Sequence, residues 1–88
     1  MLKIEKDSDG GNITLHLSGR IEAEHIQGLR AEMEPGTRVA ALDLDEVRLV
    51  AREVVKFFAQ CEVRGIGLRN CPLYLREWIL REKDRAQR

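Results

Sequence analysis

The chain has 88 residues, of which 43% are hydrophobic and 34% charged, and its formal net charge is zero. That length makes one domain, spanning residues 1–88, with room for one modest core. No run approaches 18 apolar residues, so no membrane-spanning helix and no membrane partner are expected. The charge is nevertheless polarised. Residues 1–46 hold 5 basic and 10 acidic side chains, and residues 47–88 hold 10 basic and 5 acidic ones. Such a dipole favours head-to-tail contacts or an acidic partner on the C-terminal half. The opening residues, MLKIEKDSDGG, lack a signal peptide's apolar stretch, so a cytoplasmic location is expected. Cys61 and Cys71 then default to reduced thiols.

In chain order, Leu2-Lys3-Ile4-Glu5-Lys6 alternates apolar and polar, as a half-buried strand does. Asp7 to Asn12 is dense in turn formers and reads as a hairpin loop. Ile13, Leu15 and Leu17 alternate with Thr14, His16 and Ser18, giving a second strand with one face inward and His16 on the other. Gly19 to Ala23 leads out of it. Ile26, Leu29 and Met33 recur at helical spacing, which predicts a helix from about Ala23 to Glu34. Pro35-Gly36 stops it and starts a turn.

Arg38 to Phe58 is the organising stretch. Val39, Ala40, Ala41, Leu42 and Leu44 read as a central strand buried on both faces. Asp45 and Glu46 break that run as turn residues do. Val50, Val54, Phe57, Phe58 and Cys61 then give a second helix its buried stripe, with Gly65 as its stop. Ile66-Gly67-Leu68 is a short strand. Asn70-Cys71-Pro72 starts a last helix with Pro72 in its first position, and Leu75, Trp78 and Ile79 form its buried stripe. Arg81 to Arg88 is charged, without apolar spacing, and is expected to fray.

The order is β-β-α-β-α-β-α. The first two strands pair antiparallel because their loop is short. The later strands need right-handed crossovers and pair parallel. The fold class is α/β, a small mixed four-stranded sheet with helices packed against it.

Little here suggests catalysis. A cysteine nucleophile at Cys71 needs a base, and only His16 and His25 are available, both from the other half of the chain. The two His and two Cys follow no metal-ligand spacing, and no Gly-rich loop follows a strand. No cofactor or metal is implied. Aromatic residues are 5% and form no stacking array, and Glu77, Glu82 and Asp84 interrupt the basic tail, so nucleic-acid binding is not expected.

Gly19, Ile21, Glu22 and Ala23 after the second strand, Leu42-Asp43-Leu44-Asp45-Glu46-Val47 before the second helix, and Ile66 to Leu68 before Pro72 together resemble the STAS domain. That family includes the bacterial anti-sigma factor antagonists, and the likeness covers nearly the whole chain. It implies a protein partner such as an anti-sigma factor, a kinase-like protein or another regulatory protein. In switched members a Ser or Thr opening the second helix is phosphorylated. Here those positions hold Ala51, Arg52, Glu53 and Val54, and residues 38–88 contain no Ser or Thr. The switch is missing. Glu53 puts one negative charge where a phosphate would put nearly two; it is also simply favoured at a helix N-terminus.

A non-enzymatic interaction domain is therefore expected, regulatory or scaffolding. Its partner-binding residues are expected to be Asp45, Arg48, Arg52, Glu53 and Lys56, around the turn after the central strand. Arg52 and Lys56 share an outward helix face, so their charge reversal is expected to leave stability nearly unchanged. Two other readings stay open: a homodimeric or homo-oligomeric scaffold subunit, and a redox-active thiol protein centred on Cys71.

Overall fold

The computed structural model describes residues 2–33 and 39–86, apart from the side chains of Asp9 and Ala86. The expected turn at Pro35-Gly36 lies outside these residues. The elements run β1 (Leu2–Asp9), β2 (Asn12–Ile21), a 3-10 turn (Ala23–His25) into α1 (Ile26–Glu32), β3 (Val39–Val50), α2 (Arg52–Val63), β4 (Gly67–Arg69) and α3 (Leu73–Ala86). The sheet order is β1-β2-β3-β4. β1 and β2 are antiparallel, and β2–β3 and β3–β4 are parallel. The fold is thus mixed α/β with three helices, in the order the sequence predicts.

Local chemistry explains the elements. The hairpin closes at the Asp9–Asn12 pair with Gly10 and Gly11 at φ 59° and 89°. A two-residue turn with positive φ at both positions matches the twist of the strands it joins, and glycine takes that φ without strain. The carbonyl of Ala51 accepts the first N–H bonds of α2, from Val54 and Val55. Its other end is a Schellman motif: Gly65 N–H donates to the Glu62 carbonyl and Ile66 N–H to that of Cys61, both at 3.0 Å. The carbonyl of Pro72 accepts from Leu75 and Arg76 N–H, so Pro72 sits one residue before the first turn of α3.

The crossovers β2–α1–β3 and β3–α2–β4 step the same way along the sheet. Right-handed connections then place both helices on one face. One core fills that face: Leu15, Leu17 and Ile21 of β2, Leu42, Leu44 and Val47 of β3, Leu29 of α1, the α2 stripe from Val54 to Cys61, and Leu75 and Ile79 of α3. The opposite face carries exposed side chains, Glu5, His16, Asp45 and Arg69 among them. The helices therefore cover the central strand on one face; on the other, Ala41 is buried but Asp45 is exposed.

β3 also runs past the expected turn, through Asp45 and Glu46 to Val50. Its pairing with β2 shifts register three times, between Ile13 and Thr14, His16 and Ser18, and Gly19 and Arg20. Each shift adds one residue to β3, as a bulge does. Inward residues consequently fall at Leu44, Val47 and Val50 instead of every second position.

The C-terminal charged stretch is ordered as helix to Ala86, where fraying was expected. Two ion-pair sets fix it to α2. Arg76 Nη1 lies 2.9 Å from both oxygens of Glu62, which Lys83 Nζ also contacts. Arg52 Nε lies 3.4 Å from Oε1 of Glu82, a buried carboxylate. Burial opposes ionisation of Glu62, but the bonds from Lys83 and Arg76 outweigh it and hold its carboxyl below the usual range. A lowered folded pKa contributes stability above the unfolded value and loses it as pH falls through the folded one. Glu62→Gln should then lower the melting midpoint at pH 7 and flatten its decline below about pH 5. Parallel pH–melting curves for the two proteins would remove this group from the acid response.

Candidate functional site

Two surfaces stand out, one on each side of the domain. The first is a groove between α2 and α3, with a volume of about 750 Å³. Arg52, Lys56, Ala59, Gln60, Val63 and Arg64 line it from the α2 side, and Glu82, Lys83 and Arg85 from α3. At 100° per residue, Arg52, Lys56 and Val63 lie across α2 from Phe58 and Cys61, so the groove faces away from the sheet. Ala59, which is buried, and Val63, which is 72% exposed, give it an apolar strip. Cations surround it. Arg52 and Arg85 lie at 3.4 and 4.0 Å from Glu82, and Lys83 is held by Glu62. Lys56 and Arg64 are exposed and have no ion-pair partner among the described residues.

The second surface is the open face of the sheet. A shallow hollow of about 270 Å³ is lined by Glu5, His16, Ser18, Asp43, Asp45 and Glu46. Asp43 organises it. Its carboxylate accepts the Asp45 N–H at 3.0 Å and Asn70 Nδ2 at 3.3 Å, and His16 Nδ1 lies at 3.3 Å. The bond to Asp45 spans the bulge in β3, and the bond to Asn70 ties the chain after β4 back to β3. Glu5, Asp45 and Glu46 remain exposed, Glu5 with Lys3 Nζ at 3.2 Å, and with Asp43 they give the hollow's lining a net negative charge. Among the described residues, no three His, Cys, Asp or Glu side chains are grouped to hold a metal ion.

The five expected contact residues do not form one patch. Arg52 and Lys56 lie on the groove, and Asp45 lies on the open sheet face. Arg48 is exposed near the end of β3, where its carbonyl accepts the Tyr74 hydroxyl at 3.0 Å. Glu53 is exposed in the first turn of α2. The cause is the length of β3: with the strand running to Val50, Asp45 belongs to the sheet and not to a turn beside α2. Sequence reasoning missed Arg64, Glu82 and Asp43. Arg64 had a signal in its position one turn past Gln60 on the groove side; a buried glutamate and a bulge-closing aspartate had none.

The thiols are poorly placed for chemistry. Burial pushes Cys61 up to about 11, against the pull of Arg64 and Arg30. Burial also raises Cys71, which Arg76 only partly offsets. Its Sγ lies 3.6 Å from the Pro72 carbonyl. The thiolate is the nucleophile, and a raised pKa depletes it. At pH 7 both cysteines should alkylate with iodoacetamide more slowly than a small free thiol, Cys61 the slower of the two. Faster reaction at Cys71, followed by intact mass, would restore the thiol reading.

No protein-family model, curated protein or solved structure matches the chain.

Proposed function

We propose that this domain acts by protein–protein contact and not by catalysis, with the α2–α3 groove as its contact surface. One observation carries this reading: Lys56 and Arg64 stand exposed and unpaired, among the described residues, beside the solvent-facing side chain of Val63. Exposed cations around an apolar strip fit an acidic partner surface. On this reading the chain is an unswitched regulatory or scaffold domain of STAS type. The residues GRIEA and LDLDEV support that likeness, and Ala51, Arg52 and Glu53 offer no acceptor for a serine/threonine kinase.

The test is capture of a partner from lysate of the source cell at fixed salt. Lys56→Glu with Arg64→Glu sets like charges against an acidic partner, while exposed reversals usually change stability by less than about 0.5 kcal/mol each. The double variant is expected to melt close to the wild type and to lose the partner. Equal capture by both proteins would move the contact surface elsewhere.

A further inference from the structure

We propose that the groove's partner is the acidic sheet face of a second copy of this chain, so that copies stack head to tail; this rests on the groove being a protein-contact surface. The two surfaces have opposite sign and different origin. Glu5, Asp45 and Glu46 come from the strands, and Lys56, Arg64 and Arg85 from the helical layer. The helices cover one face of the sheet and the acidic hollow occupies the other, so the surfaces point in opposite directions. Even the shortest extent of the domain is 23 Å. That is several times the Debye length of about 8 Å at physiological salt, so the two surfaces cannot neutralise each other within one molecule. Between molecules they can.

Charge also selects the symmetry. A two-fold dimer sets the same patch on both subunits face to face. Through the hollow it would oppose carboxylates, and through the groove it would oppose Lys56 and Arg64. The pairing that joins unlike charges uses the groove of one copy and the hollow of the next. Such a heterologous contact repeats into a ring if its rotation closes and into an open chain if it does not. The net charge of zero adds no overall repulsion to oppose assembly.

Sedimentation velocity of the purified full chain tests this at about 20 mM and about 500 mM salt, where screening lengths differ several-fold. At low salt the wild type should sediment above its 10.1 kDa monomer mass, increasingly with concentration, and should return to monomer at high salt. Lys56→Glu with Arg64→Glu cancels the groove's excess positive charge, and Glu5→Lys with Glu46→Lys cancels the hollow's excess negative charge. Each variant alone should be monomeric at low salt. Their equimolar mixture should associate as pairs, because the acidic hollow of the first again meets the basic groove of the second. Circular dichroism confirms that each variant is folded; if the lysine pair is not, Glu5→Gln with Glu46→Gln replaces it and should weaken association. A wild type that stays monomeric at low salt overturns the proposal, as do variants that each associate like the wild type. If a monomeric wild type still captures a partner through Lys56 and Arg64, self-assembly fails and the groove reading stands. Loss of both findings removes both.

Discussion

Phe58→Ala is expected to leave a domain that barely folds. Phe58 is the largest of the fully buried side chains, at 0% exposure, and sits mid-way along α2 between the helix and the sheet. Truncating such a residue costs the transfer energy of the ring and leaves a cavity, together about 3–5 kcal/mol. Domains of this kind have only about 5–15 kcal/mol in all. At about 4–8 °C per kcal/mol for this size, the midpoint should fall by more than 10 °C, and the transition should lose its cooperativity. Thermal circular dichroism reads it directly. A shift of a few degrees would mean that the core collapses into the space, which Val54, Val55 and Leu42, all fully buried, leave little freedom to do. Trp78 provides the contrast. It shares a helix with Leu75 and Ile79 but is only half-buried, so its truncation removes less from the interior.

What the sequence made legible follows from which signals are local. Asp9-Gly10-Gly11-Asn12 can hardly avoid a tight hairpin, and Gly65 after a periodic stripe stops α2 where expected. The order of elements needed only such local cues plus the handedness of crossovers. β3 failed for an equally definite reason. Two of its three bulges space the inward residues as Leu44, Val47 and Val50, and a spacing of three is the signature of a helix. Val50 therefore reads as the first residue of the helical stripe, and the charged Asp45-Glu46 pair as a turn, although all three belong to β3. The buried stripe of α3 was misjudged differently. Position 82 faces the same way as Leu75 and Ile79, yet it holds a glutamate, which periodicity scores as surface. Its nearest cation comes from another element, Arg52 of α2, and helps make the burial tolerable. The candidate site suffered most because its residues converge only after α3 docks on α2. Lys56 and Glu82 are far apart in the chain, and no pattern within either helix joins them.

That docking makes Arg52→Glu a different experiment from Lys56→Glu, although both residues line the same groove. Both were expected to tolerate reversal as exposed positions. Lys56 should: it is exposed, and no ion-pair partner for it lies among the described residues. Arg52 is 55% exposed as a side chain, but its guanidinium is the nearer of two that face Glu82, whose side chain is 5% exposed. Removing one member of a buried pair costs about 3–5 kcal/mol, because it strands the other charge. Here Arg52 is half in solvent, and Arg85 remains at 4.0 Å, so the cost should be nearer 2 kcal/mol. Arg52→Glu adds a second carboxylate beside the first and should lower the midpoint by about 8–16 °C. Glu82→Gln in the same chain removes the repulsion and should recover most of that loss. The comparison separates stability from binding: Arg52→Glu lowers the melting midpoint and alters the groove at once, whereas Lys56→Glu with Arg64→Glu acts on the surface only. If Arg52→Glu and Lys56→Glu melt together with the wild type, the Arg52–Glu82 pair contributes nothing to holding α3 against α2.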